Sequence, residues 1–464
     1  MSTISSTQSP SKRRFFDWQE LKQSLVIMFP LYIAYLMNTG MSLIDTLVAG
    51  KAGETNLAGV AIGSSICWPV IISLGSVLTI IGPMISRYRG EGKGGNIGAL
   101  LSQSKMLAVL IAALAILLLG ALSRIFPYVS DDAETVRIAT GYVFAMMWGV
   151  PATIMMRVFS GYFEGHHQTR PAMVMSVLGL LINFPLNWAF VFGWGPIPAM
   201  GGIGCGLATS IITWFISLGM LAIMMLARRH RQNAFHLIAL RRPDWCVCQP
   251  VLRMGIPIGI AILCEMTFFC AIGLVIAPLG NTAMSAQQVA ITISGSLFML
   301  PMSLSVAASI RASFHIGAGQ ETKFRNLVST LIITTTCLSL CVMTALYLLR
   351  YPILEQFTDS APIIETAQLL LILCGVYQFP DALQALFAGL LRGCHDTKIL
   401  SSVNICSYWV IGFPLSYSLI RTDWIVPAMG PSGAWVSFIV ALSLTSILLG
   451  LRFYRTQCKI FPKH

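Results

Sequence analysis

Long apolar stretches alternate with short polar ones along the whole chain, and the apolar stretches set the architecture. Twelve stand out, at roughly residues 24–49, 57–86, 101–123, 136–160, 171–193, 204–227, 252–277, 284–311, 327–349, 363–390, 399–420 and 432–453. Most of them reach the roughly 20 residues that an α-helix needs to cross a bilayer. The pattern therefore predicts an all-α integral membrane protein with twelve transmembrane helices. One long polar break, residues 228–251, opens with RRHRQNAFHLIALRRPDW and divides the chain near its midpoint. It separates a first six-helix lobe, 24–227, from a second, 252–453. Tails of 1–23 and 454–464 flank the lobes. In the first tail, Phe15, Phe16, Trp18 and Leu21 follow Lys12, Arg13 and Arg14 and suggest a short interfacial helix. The apolar run after that tail is too long for a signal-peptide core and carries an acid, Asp45, so no cleavage is expected.

The two halves repeat each other. Pro30, Gly53, Gly90 and Gly92 recur as Pro257, Gly280, Gly317 and Gly319 at an offset of 227. Asp131, Gly161, Gly165 and Thr169 recur as Asp359, Gly389, Gly393 and Thr397 at 228, and Pro185 and Gly204 as Pro414 and Gly433 at 229. A nearly constant offset marks an internal duplication. Each unit has an even number of spans, so both copies enter the membrane from the same side. The pseudo-axis then lies along the membrane normal, a parallel repeat, with a substrate cavity between the lobes.

Composition agrees with a bilayer as solvent: 56% of residues are hydrophobic and 10% charged, against about 25% charged in soluble domains. A net charge of +12 raises the alternative of nucleic acid, and the placement of the cations decides against it. With the N-terminus cytoplasmic, only Lys51, Arg124, Arg137, Arg350 and Arg421 of the 30 lysines and arginines fall outside the cytoplasmic loops, tails and adjoining helix ends. That is the positive-inside bias of a multi-pass protein with both termini cytoplasmic, as in a bacterial inner membrane. The twelve cysteines are mostly scattered through apolar runs and suggest no disulfide framework. Cys246 and Cys248 form a single CxC pair without clear His partners, which falls short of a metal site. No P-loop, HExxH or GxSxG arrangement stands out, so neither an ATP-driven pump nor an enzyme is indicated, and no cofactor is expected.

The candidate chemistry lies in three acids inside spans: Asp45, Glu265 and Asp381. A carboxylate near mid-membrane costs about 2.5–3.5 kcal/mol on insertion scales, so each is expected to face a cavity or a partner. Asn38, Ser42 and Asp45 step by four and three along one span, and Tyr377, Asp381 and Gln384 do the same in another, which aligns them on helical stripes. Asn183 and Asn187 share a face around Pro185. Such oxygen-rich sets suit a proton or Na⁺ equally. The acids are not duplicated, since Glu265 falls opposite Asn38 and Asp381 opposite Thr153. The expected arrangement is a cation pair, Glu265 with Asp381, in the second lobe, and Asp45 with Asn183 and Asn187 in the first. Asn38, Ser42, Gln384, Phe268 and Phe269 are candidates to line a substrate cavity, where the two phenylalanines and Trp188 could stack on an organic cation, and Met266, Met299 and Met302 to adapt to varied ligands.

Four stretches, TGMSLIDTLVAG (39–50), LLINFPLNWAFVFG (180–193) with GGIGCGLATSI (201–211), GIPIGIAILCEMTFF (255–269) and VYQFPDALQALFAGLLRG (376–393), resemble the NorM-type branch of the MATE family, multidrug and toxic compound extrusion. The resemblance covers essentially the whole chain. It implies a two-lobe exporter, functional as a monomer, that exchanges Na⁺ or H⁺ for cationic amphipathic compounds. It also implies a polar or proton site at Asp45, Asn183 and Asn187, and a cation site at Glu265, Tyr377 and Asp381, with Glu265 and Asp381 the Na⁺ ligands if sodium is the coupling ion. Asn38 stands where NorM-type sequences tend to carry Gln. The competing readings are a lipid-linked precursor flippase, whose cavity should be lined by Arg and Lys, and a receptor or channel without coupled transport.

Overall fold

The computed structural model of the protein describes residues 15–128, 131–196, 198–238, 242–357, 360–424 and 427–462. Lys12, Arg13, Arg14 and Asp359, used above, lie outside them. Twelve described helices are long and apolar enough to cross a membrane: α1 Trp18–Lys51, α2 Glu54–Gly90, α3 Asn96–Tyr128, α4 Ala133–Gly165, α5 Arg170–Phe192, α6 Gly202–Leu226, α7 Trp245–Leu279, α8 Asn281–Gly317, α9 Glu321–Glu355, α10 Ala361–Gly393, α11 Lys398–Arg421 and α12 Pro431–Ile460.

Two expectations change at the helix starts. Asp17 caps α1 by accepting from the backbone N–H groups of Gln19 and Glu20 at 2.9 and 3.4 Å. Nothing breaks the helix between Trp18 and Lys51, because Pro30 only removes one hydrogen bond within a long run. Among the described residues no separate interfacial helix precedes the first span; Trp18, largely exposed, sits on the first turn of α1 itself. Asp244 caps α7 through the N–H of Cys246, so that helix begins seven residues before the expected 252. The basic linker is correspondingly shorter and carries a short helix, Arg231–Ile238. The CxC pair is split by the start of α7: Cys246 is exposed, while the thiol of Cys248 is buried against Gln103 Oε1 at 3.5 Å.

The repeat is visible in the packing. In the first lobe α4 packs against α2 and α6, and α1 against α5; in the second, α10 packs against α8 and α12, and α7 against α11. Two irregularities interrupt the helices. Val77–Ile80 in α2 is a 3-10 turn, and Ile405–Gly412 in α11 is π-helical. A π-turn accommodates an extra residue within an α-helix. The repeat offset steps from 228 at Thr169/Thr397 to 229 at Pro185/Pro414, and the π segment lies between Thr397 and Pro414. The slip in the sequence and the bulge in the helix are one event.

The lobes meet where α2 packs on α7 and α8, and α1 on α8. Gly90 and Gly317, a repeat pair, cross here. A Cβ at Gly90 would lie 2.4 Å from the carbonyl oxygen of Phe314, and one at Gly317 would lie 2.4 Å from that of Arg87. Every hydrogen bond between the lobes among the described residues lies at this end of the bundle, the end that carries the basic linker and loops.

Candidate functional sites

In the first lobe Asp45 is the hub. Its Oδ1 accepts from Asn187 Nδ2 at 2.8 Å and from Asn183 Nδ2 at 3.3 Å. Its Oδ2 accepts from Thr209 Oγ1 at 2.7 Å. Asp45, Asn183 and Asn187 are all buried. Asp45, Asn183 and Asn187, expected as one polar set, do meet in the fold, while Thr209 of α6 was missed because nothing in its own helix pattern marks it. The side-chain oxygens of Asn183 and Asn187 are buried with no hydrogen-bond partner, leaving two amide oxygens beside a carboxylate. Buried polar atoms are rarely left so, and oxygen atoms of this kind are what a small hard cation takes. Ser42 and Asn38 do not join this site. Ser42 is exposed, and Asn38 donates to the carbonyl of Ala34 in its own helix at 2.7 Å.

In the second lobe Asp381 is 1% exposed. It lies near enough to Glu265 for charge coupling and to Tyr377 for a side-chain hydrogen bond, and its Oδ2 has no partner among the described residues. Tyr408, on the π-helical turn, donates to Gln384 Oε1 at 2.8 Å and feels both carboxylates. Tyr408 was not legible as a site residue, because its direction depends on the π-turn. Phe268 departs from expectation. It is 1% exposed, stacked 5.3 Å from Tyr408 and edge-on to Phe438, so it packs behind the carboxylates rather than lining an open wall. Phe269 leans on Phe438 at 4.9 Å. Trp188 is exposed and carries Lys51 Nζ over its ring at 5.7 Å. At the repeat offset Asp45 falls opposite Ile272, and Thr209 opposite Phe438. The polar hub of one lobe is apolar packing in the other.

A third group lies between the lobes, where Asn38 and Met302 were expected to face a cavity and the charged residues around them were not. A cavity of about 90 Å³ lies just inside the crossing between the lobes, lined by Tyr35, Asn38, Arg157, Glu164, Met302 and Arg392 among others. Beyond it, a seam closes the basic end. The buried Arg311 of α8 binds Glu20 of α1 and donates to Gln23 Oε1 at 2.6 Å. Ser86 Oγ donates to the carbonyl of Ile310 at 2.8 Å.

Two histidines one repeat apart, His167 and His395, complete the seam. Both adopt left-handed backbone, φ 60° and 61°, which non-glycine residues seldom do. His167 contacts Ser86 Oγ at 3.2 Å and faces the Phe314 ring of the opposite lobe at 5.4 Å. His395 contacts Ser313 Oγ at 3.3 Å and receives Arg87 of the opposite lobe on Nδ1 at 3.1 Å. Arginine only donates, so that Nδ1 is unprotonated. Burial, with Arg87 adding to it, pushes the His395 imidazole down to about 4. Burial and then Arg89 push His167 down to about 3. Both are neutral while the seam is closed.

The MatE family model matches residues 30–189 and again 257–418, offsets of 227 and 229 between the two starts and the two ends, in step with the internal repeat. The probable multidrug resistance protein NorM of Pasteurella multocida is 34% identical over 454 residues, 96% of this chain and 97% of that protein. The multidrug resistance protein MdtK of Edwardsiella ictaluri is 35% identical over 442 residues, 94% and 95% of the two chains. Among solved structures, the eukaryotic MATE transporter AtDTX14 superposes with a TM-score of 0.85 at 21% identity, covering 95% of this chain and 98% of its own. An outward-facing multidrug resistance MATE transporter gives 0.84 at 18% identity, covering 96% and 97%. At these identities the two structures speak for the fold.

Proposed function

The chain belongs to the MatE family, and on that footing we propose that it is a secondary antiporter that exports cationic amphipathic organic compounds in exchange for Na⁺ or H⁺. The observation that carries the reading is the pair of unlike buried carboxylate sites, one per lobe, in a bundle whose lobes are tied together at one end. Asp45 with Asn183, Asn187 and Thr209 is the N-lobe ion or proton site. Glu265 and Asp381, with Tyr377, are the C-lobe cation site. Each set offers oxygen atoms without partners, which an ion can occupy and vacate. The positive charge of the linker supports a cytoplasmic tied end, with both termini on that side of a bacterial inner membrane. The lobes then stand closed toward the cytoplasm. Antiport follows if ion and drug favour different lobe arrangements, since a ligand shifts an equilibrium only by its differential affinity.

One observation favours the flippase alternative, namely that Arg157 and Arg392 line the cavity between the lobes. They share it with Glu164, whose carboxylate would repel a phosphate-bearing head group, so the exporter remains the better fit. The test is transport of an ethidium-like dye in proteoliposomes, driven separately by a Na⁺ gradient and by a pH gradient. We expect one gradient to drive uptake and the paired change Glu265→Gln with Asp381→Asn to abolish the coupling. Gradient-driven transport that survives the double change would overturn the mechanism.

A further inference from the structure

The cavity between the lobes holds an acid, Glu164, that the antiport reading leaves without work and that, unlike Glu20 and Glu91 at the seam, forms no salt bridge among the described residues. Glu164 and Arg157 sit seven residues apart on α4, on one face, and both look into the cavity. Neither makes a hydrogen bond or an ion pair within 4 Å among the described residues, yet Glu164 lies near enough to feel the charge of Arg157. The remaining charge, Arg392, comes from the opposite lobe. Its guanidinium is held by its own lobe, donating to Ser305 Oγ at 2.9 Å and to the carbonyl of Ala388 at 3.3 Å. When the lobes part at the basic end, Arg392 must travel with α8 and α10, while Glu164 and Arg157 stay with α4. Closing the seam brings a second cation against Glu164; opening it removes that cation and widens the cavity around the acid.

We propose that Glu164 takes up the positively charged group of the organic substrate when the lobes open at the basic end, and that Arg392 evicts it when they close. This rests on the exporter reading above. The arrangement supplies what exchange needs, a site whose affinity for a cation differs between the two lobe arrangements through one residue carried in by the other lobe. Tyr35 and Asn38 of α1 and Met302 of α8 border the same space, so an aromatic face, an amide and a thioether are available to the apolar remainder of a flat or quaternary cation.

The experiment is tetraphenylphosphonium uptake by inverted membrane vesicles, in which the basic end faces the medium. Wild type must transport; if it does not, the exporter reading fails and not this one. With transport present, Glu164→Gln should raise KM at least about ten-fold, within the usual range of coupling between sites, while the maximal rate stays within about two-fold. Glu164→Asp should restore most of the affinity, which separates a charge role from a packing role and keeps the test valid if the Gln variant folds poorly. Arg392→Gln should tighten equilibrium phosphonium binding to the purified transporter, and the double change Arg392→Gln with Glu164→Gln should erase that gain. An unchanged KM in Glu164→Gln, or a gain in Arg392→Gln that persists without Glu164, would overturn the proposal.

Discussion

Acidification should open the seam at the basic end, and the size of the effect follows from the two histidines. With the seam closed, His395 titrates near 4 and His167 near 3. Once parted and hydrated, both should return toward about 6.5, the usual histidine value. The open state then binds more protons, so closure is most favoured above about pH 6.5 and is progressively lost as pH falls toward the closed-state values. At about pH 5, each histidine costs the closed state roughly 2 kcal/mol, a factor of about 30 in the closed-to-open ratio. The charged neighbours sharpen the effect, since Arg87 faces His395, and Arg89, Arg311, His315 and His166 surround His167; only Glu91 works the other way on His395.

The assay is double electron–electron resonance between spin labels at Lys93 and Lys323, which follow equivalent helices of the two lobes, in a chain with its exposed cysteines replaced by serine. The ratio of short-distance to long-distance populations should fall between about pH 8 and pH 5 by at least the factor of one histidine. Replacing both histidines by Asn, which tolerates left-handed backbone, should flatten the response. A distance distribution that ignores pH, or one that still responds in the double Asn variant, would refute the reasoning.

Other consequences are smaller in scope. Gly90→Ala puts a Cβ against the Phe314 carbonyl, so the closed seam should be strained; the same label pair should report a longer mean distance at neutral pH. Glu20→Ala leaves Arg311 buried without its carboxylate, a loss of about 3–5 kcal/mol from the closed state or from the fold, measurable as a lower Tm in detergent. Thr209→Val removes one donor from Asp45, worth about 1.5–3 kcal/mol for a hydrogen bond to a charged group. It should shift the ion dependence of transport, whereas Thr213→Val one turn on, whose hydroxyl bonds only to its own helix, should not.

The span count and the duplication were legible because both rest on period and spacing, which lipid solvation enforces along every helix. The Asp45 cluster was legible too: Asn183 and Asn187 lie four apart, and only one face of α5 can hold both. The residues that escaped notice depend on partners far away in the chain. Thr209 reads as one more small residue of a Gly- and Ala-rich helix until α6 is set beside α1. Glu164 reads as a helix-end acid until Arg392 arrives from across the pseudo-axis. Phe268 was misplaced because its nearness to Glu265 in sequence said nothing of Tyr408 and Phe438, which fill the space in front of its ring. His167 and His395 carried a signal of a kind, standing at one repeat spacing in turns after equivalent helices, but only the backbone angles and the crossing contacts give it meaning.

The π-turn in α11 turns a small change of length into a lasting asymmetry. The extra residue is taken up within Ile405–Gly412, so Pro414 and Gly433 keep the places of Pro185 and Gly204 while the side chains on the bulge itself are re-aimed. Tyr408 is one of them, set against Gln384 and beside Glu265 and Asp381. A duplication starts with twins, and twins bind the same ion with the same strength, which is of no use to a device that must grip on one side and let go on the other. With that bulge, and with Ile272 and Phe438 where the first lobe has Asp45 and Thr209, the chain acquired two lobes that stack alike and hold different things.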